Sequence, residues 1–225
     1  NYYKIYKREQ KLRYGCNPYQ DMAYCCSLND KFPIKVLNGK PGYINLLDAF
    51  NSWQLVKDIK KITGKITSTS FKHTAPAGIS ISNELTTLLK YAYNSHNDIS
   101  ETAVSYLRAR NSDPLSSFGD FIAISDKVDK DTATLIKREI SDGIIAPDYD
   151  EDALKILKSK KKGNYLVIQV DKNYELDEYI EVRELFGMGL IQNVNNYVID
   201  DNTILNNIVT ENKFIEYDIL LDLKI

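Results

Sequence analysis

Cysteine, histidine, methionine and tryptophan are scarce in this chain, at three, two, two and one in 225 residues. Cys16, Cys25 and Cys26 make no C-x-x-C pair, and any intrachain pairing leaves one sulfur over. Neighbouring cysteines rarely bridge without strain, so the thiols are expected to be reduced and the setting cytosolic. No histidine stands near them, so zinc is not expected, nor any other metal. Apolar runs such as Gly143-Ile144-Ile145-Ala146-Pro147 fall far short of the roughly 20 residues a membrane helix needs. Neither sign of charge is in excess: 29 basic and 31 acidic side chains leave a formal −2, which gives no global field for nucleic acid or an anionic bilayer. The phosphate loop G-x-x-x-x-G-K-[ST], the dinucleotide turn G-x-G-x-x-G, the zinc helix H-E-x-x-H and the serine elbow G-x-S-x-G are all missing. The opening Asn1-Tyr2-Tyr3-Lys4 has neither Met nor an apolar leader and reads as the start of a fragment, not of a secretory precursor.

What is present is enough apolar material, 43% of the chain, for one large domain or two small lobes. Residues 32–37 read as a strand closed by Asn38-Gly39-Lys40-Pro41-Gly42. From Leu46 the apolar residues recur at helical spacing until Gly64, and Lys65 to Phe71 is β-branched and alternating, which makes a β-α-β unit. Helices are expected over 84–93, 101–110 (with Ser100 as N-cap), 131–140 and 152–158, and strands over 120–125, 143–146 and 165–170. The repeated order predicts a three-layer α/β/α sandwich around a mainly parallel or mixed sheet. Lys160-Lys161-Lys162-Gly163 reads as a solvated turn that caps a helix C-terminus. After Asp171 the pattern loosens, 182–191 fits either a strand or a looping edge, and 203–223 carries weak helical periodicity. The apolar end at Ile225 has no stop signal and is expected to lead into further structure. No internal repeat stands out.

Lys72 and His73 lie side by side between a strand and a Pro/Gly turn, Pro76-Ala77-Gly78, where strand ends gather ligands in α/β proteins. An imidazole can exchange a proton near pH 7, and the adjacent ammonium can hold an anionic oxygen. The alternative is a surface Lys-His step, since strand neighbours point to opposite faces. Arg13 and Tyr14 offer a cation and a phenol for a phosphate or flat ring, Ser116-Ser117-Phe118-Gly119-Asp120 offers hydroxyls, an aromatic face and a permissive glycine, and Asp142 offers an acceptor for sugar hydroxyls. His96, in a polar connection, reads as solvated.

Five Gly- and Pro-rich segments (12–20, 37–47, 70–78, 112–121 and 141–147), taken in order, resemble a known family. Leu12-Arg13-Tyr14-Gly15-x-Asn17-Pro18, Leu37-Asn38-Gly39-Lys40-Pro41-x-Tyr43-Ile44-Asn45-Leu46-Leu47-Asp48-Ala49, Trp53-Gln54-Leu55-Val56, Phe71-Lys72-His73-x-x-Pro76-Ala77-Gly78, Arg108-Ala109-Arg110, Ser116-Ser117-Phe118-Gly119-Asp120-Phe121 and Ser141-Asp142-Gly143-Ile144-Ile145-Ala146-Pro147 look like the transformylase domain of the AICAR transformylase/IMP cyclohydrolase bienzymes, in eukaryote-like form. The resemblance implies a cytidine-deaminase-like fold and metal-free transfer of a formyl group from 10-formyltetrahydrofolate to the 5-amino group of AICAR in de novo purine synthesis. It implies His73 as base and Lys72 as its charge-stabilising partner. Arg13, Tyr14, Lys72, His73, Gly119 and Asp142 would bind the nucleotide, with Leu115 and Phe118 against folate. It further implies a cytosolic homodimer with sites at the interface. Residues 1–225 would be the N-terminal lobe, with a core over about 1–170 and the start of a connection to a second lobe, and the cyclohydrolase domain absent. The alternative is a nucleotide-binding, dimerising lobe without turnover of its own. The H-x-E and P-C-x-x-C residues of zinc deaminases are missing, which disfavours hydrolytic deamination. The family has His where Tyr19 stands and commonly Met where Leu115 stands.

Overall fold

Every residue from Asp120 to Ile124 is buried, and so are Gly143 to Ala146 and Leu166 to Ile168. Continuous burial means that both faces of these strands are covered. Period-2 alternation then divides the apolar side chains between two cores. Phe121, Ala123, Ile145, Leu166 and Ile168 enter one, and Ile122, Ile124, Ile144, Ala146, Tyr165 and Val167 the other.

The computed structural model describes residues 3–28, 31–95, 98–175, 180–197, 203 and 206–224. It divides into two units, 1–172 and 173–225. Unit 1 opens with an antiparallel hairpin, β1 (Tyr6–Lys11) and β2 (Tyr24–Leu28). There follow β3 (Ile34–Asn38), α1 (Tyr43–Thr63), β4 (Thr67–Lys72), β5 (Ala75–Ile81), α2 (Thr87–Ala92) and α3 (Glu101–Ser112). Next come β6 (Asp120–Ile124), α4 (Lys130–Arg138), β7 (Ser141–Ala146), α5 (Glu151–Ser159), a 3-10 turn (Lys160–Gly163) and β8 (Leu166–Val170). The central sheet has the order β3-β8-β7-β6-β4-β5, in which β6, β7 and β8 are parallel and the other pairings antiparallel. This is the mixed α/β sandwich that the alternation predicts. Leu46, Ala49 and Val56 of α1 fill the first core, and Ala133 and Ile136 of α4 with Ala153 and Leu157 of α5 fill the second.

The ends of α1 are set locally. Asn45 Oδ1 accepts the Gly42 amide at 3.1 Å, and Gly64, at φ 70°, closes the last turn with its amide on the Lys60 carbonyl. Ser100 caps α3 as expected, accepting the Ala103 amide at 3.1 Å.

Three expectations need correction. β3 and β4 do flank α1, yet they are separated in the sheet by β8, β7 and β6, so they are not a neighbouring pair. Residues 75–78, which read as a Pro/Gly turn, belong to β5. That strand lies at the sheet edge, where proline is tolerated, and Gly78 lets α3 approach: a Cβ there would lie 2.2 Å from the Ala109 carbonyl oxygen. Lys160 is not solvated but buried, its Nζ donating to the Glu139 carbonyl at 2.6 Å.

Unit 2 holds a second hairpin, β9 (Ile180–Leu185) and β10 (Met188–Asn193), and a helix α6 (Tyr217–Lys224). The stretch 182–191, readable as strand or loop, is thus two strands joined at Phe186–Gly187. His96 lies outside the described residues.

Candidate active site

β4 pairs antiparallel with β6, so its carboxyl end lies at the amino ends of β6, β7 and β8. This is opposite to the edge at which parallel α/β sheets usually bind ligands. Lys72 is the last residue of β4 and pairs with Ala75, which leaves His73 and Thr74 as a two-residue turn with φ of 54° and 65°. Positive φ at both positions is the geometry of a tight hairpin turn, ordinarily given to Asn and Gly; for a β-branched threonine it is an outlier. His73 is exposed and Lys72 half-buried. The Thr74 amide donates to Asp48 Oδ1 at 2.7 Å. Asp48 is only 6% exposed, on the stripe of α1 that carries Leu46, Ala49 and Val56. Burial pushes its pKa up, while the Thr74 amide and the charge of His73 pull it down and Asp142 pushes it up again.

Lys72 Nζ donates to the Phe118 carbonyl and lies 6.0 Å from the centre of the Phe118 ring. Gly119 follows at φ 76°, and a Cβ there would meet Lys72 Nζ at 3.7 Å. Leu115 and Phe118 are 89% and 56% exposed, an apolar pair beside a cation. At the head of β7 the exposed Asp142 accepts Lys161 Nζ at 2.7 Å. Lys161 and Lys162 both take left-handed backbone (φ 50° and 54°). Arg13 Nη2 donates to Asn45 Oδ1 at 3.2 Å, with the Arg13 guanidinium 5.7 Å from the Tyr14 ring. Asn45 and Asp48, one turn apart on α1, therefore support Arg13 and the His73–Thr74 turn respectively.

Beneath this edge lies a buried polar floor. Asp120, fully buried, accepts the Ser70 hydroxyl at 2.6 Å, and Ser70 lies 2.8 Å from Ser117 Oγ. Burial pushes Asp120 up to about 6, against the pull of Ser70, Arg110 and Lys160. Tyr165 and Ser141 share a 2.9 Å hydrogen bond, and Lys160 Nζ is 4.8 Å from the Tyr165 ring. Burial raises the Tyr106 phenol and lowers the Lys160 ammonium. Asp120 Oδ1, Tyr106 Oη and Arg110 Nε are buried with no hydrogen-bond partner among the described residues.

The structure thus gathers Lys72, His73, Phe118, Gly119 and Asp142 at one end of the sheet, with Arg13 tied to the start of the same helix that holds the turn. Asn45, Asp48, Asp120 and Lys161 stand within stretches the sequence marks out, but none of them carries a site role there. The available signal was a carboxylate on the apolar stripe of α1 and another heading the apolar run Phe121–Ile124. A cavity of about 430 Å³ lined by Ser82, Asn83, Lys90, Asp98, Glu101 and Val104 contains none of the candidate residues. Among the described residues no His, Cys, Asp and Glu cluster of three or more is arranged to hold a metal.

The family model described as AICARFT/IMPCHase bienzyme matches residues 1–224. Over 204 residues the chain is 32% identical to the Bifunctional purine biosynthesis protein PurH of Clostridium botulinum strain 657 (Type Ba4). Its identity is again 32% to the protein of that name from strain Loch Maree and 31% to the one from strain Hall. Each alignment covers 89% of this chain and 36% of the relative, so the chain spans about a third of the length of these curated relatives.

Proposed function

Because the chain belongs to the AICARFT/IMPCHase bienzyme family, we propose that it acts in purine biosynthesis as part of a formyltransferase. In this reading it moves a formyl group from 10-formyltetrahydrofolate to the 5-amino group of AICAR. The observation that supports this most is the meeting of Lys72 and the His73 turn with Phe118, Gly119 and Asp142 at one sheet end. His73 takes the proton that the attacking amine releases as the new N–C bond forms to the formyl carbon. Lys72, already aimed at a carbonyl oxygen in the free protein, stabilises charge on the formyl oxygen and supplies a proton to the departing folate nitrogen. Arg13 and Tyr14 hold the nucleotide, and the Gly119 backbone and Asp142 contact its base or ribose. The exposed Leu115 and Phe118 suit the flat, apolar part of a folate. A cytosolic homodimer with sites at the interface and a cytidine-deaminase-like layering belong to the same reading.

The test is His73→Ala in the protein as it exists. Formyl transfer is expected to fall about a hundredfold or more, as general-base loss requires; persistence within a few-fold refutes the assignment. Because the chain spans 36% of its relatives' length, a second reading is a nucleotide-binding, dimerising lobe without turnover. Calorimetry separates the two: AICAR binding without transfer by the 225-residue chain favours the lobe, turnover the enzyme.

A further inference from the structure

The His73–Thr74 turn occupies a backbone region that its residues do not favour, so something outside the turn must hold it there. Neither residue is a glycine, and Thr74 carries a branched Cβ at φ 65°. Both side chains are exposed, so packing of the turn itself does not supply the restraint. The support that is present comes from α1: Asp48 Oδ1 accepts the Thr74 amide at 2.7 Å from a position only 6% exposed. A carboxylate on a stripe shared with Leu46, Ala49 and Val56 is tolerated only when hydrogen-bonded. The groups acting on it are that amide, His73 of the turn and Asp142 at the head of β7.

We propose that Asp48 is a positioning residue, which by accepting the Thr74 amide holds the turn in its left-handed form and fixes where His73 stands beside Lys72. The catalytic consequence rests on the reading given above for His73; the conformational one does not. Asp48 touches no reacting atom, and it acts through the backbone of its neighbour's turn.

The experiment is a cycle of Asp48→Ala, Thr74→Gly and the double variant, made in the protein as it exists, with the isosteric Asp48→Asn alongside. Glycine adopts positive φ freely, so it removes the need for the restraint. Asp48→Ala is expected to speed hydrogen exchange of the residue-74 amide about tenfold or more and leave the amides of β6 to β8 unchanged. It is expected to lower kcat about ten- to a hundredfold and leave KM for AICAR within about threefold. Thr74→Gly in the Asp48→Ala background should restore most of the lost kcat, and Asp48→Asn, which keeps an acceptor, should be milder than Asp48→Ala. A Thr74 amide that exchanges at the same rate with and without Asp48 overturns the proposal. So does a kcat loss that Thr74→Gly leaves untouched, because a purely structural role in the core would not be relieved by a glycine in the turn. If Asp48→Ala does not fold, the Asp48→Asn pair completes the cycle with the same expected signs. If the wild-type protein transfers no formyl group, the function proposed above fails, and the exchange measurement still decides the role of Asp48.

Discussion

Asp120→Asn isolates the energetic consequence of burying a carboxylate under the site. Asp120 is fully buried at the head of β6, its Oδ2 accepting Ser70 at 2.6 Å while its Oδ1 has no partner among the described residues. Burial dominates and pushes its pKa from 3.8 to about 6. A carboxyl with a raised folded-state value holds its proton more tightly in the folded than in the unfolded chain. Its destabilising effect is therefore absent below the unfolded value, grows as pH rises through the window from 3.8 to about 6, and is complete above it. About 2 units at roughly 1.4 kcal/mol each make the ionised Asp120 a penalty of about 3 kcal/mol at pH 7. The amide that replaces it cannot ionise, and its oxygen can still accept from Ser70. Urea unfolding of both proteins from pH 4 to 7.5 should show the variant gaining on the wild type by about 3 kcal/mol as pH rises, most steeply near pH 5. Any fixed cost of fitting an amide shifts the two curves apart equally at every pH and leaves that trend intact. Curves that stay parallel to within about 0.5 kcal/mol would show that Asp120 is not buried as a strained carboxylate, and the reasoning would fail.

Gly78→Ala brings a Cβ within 2.2 Å of the Ala109 carbonyl, so α3 must shift, and thermal unfolding should report a loss of about 1–3 kcal/mol or more. Ile122→Ala, at a fully buried position in the second core, should cost about 2–5 kcal/mol by the same assay. Lys161→Ala breaks the 2.7 Å pair with Asp142, but both side chains are well exposed, so stability should change by no more than about 1 kcal/mol. Gly119→Ala forces an L residue to φ 76° beside Lys72; on the function proposed above, formyl transfer should fall while the far side of the sheet, followed by amide exchange in β8, is unchanged.

Strands and helices were legible where burial writes a period into the chain. Phe121–Ile124, Ile144–Ala146 and Leu166–Ile168 are apolar because both faces are covered, and α1, α3, α4 and α5 show their spacing, with Gly64 and Ser100 marking an end of α1 and of α3. Pairing was not legible, because the period of a strand says which face is buried and nothing about its neighbour. That is why β3 and β4 read as one β-α-β unit yet have three strands between them. The β1–β2 hairpin went unseen because its first strand, Tyr6–Lys11, has almost no buried side chain and so no apolar alternation. β5 went unseen because Pro76 and Gly78 are turn residues in general and edge-strand or close-approach residues here. Of the site, Lys72, His73, Arg13, Gly119 and Asp142 could be named from residue type and motif order. Asp48 lies inside a motif of the resemblance yet receives no role from it, since a carboxylate in a helix reads as solvent-facing until the fold turns that face inward.

The amino-acid order alone determined that this is a layered α/β chain with balanced charge and no span-length apolar run, and it marked one Lys-His step as its chemically distinctive point. Tertiary structure decided that β4 runs against β6, so that this step meets Phe118 and Gly119 at the amino ends of the parallel strands. It also decided that a buried carboxylate from a helix more than twenty residues upstream, Asp48, holds the turn. The physical reason is range: propensity and periodicity act over a few residues, whereas the partner of a buried polar group is chosen by which elements the sheet order brings together.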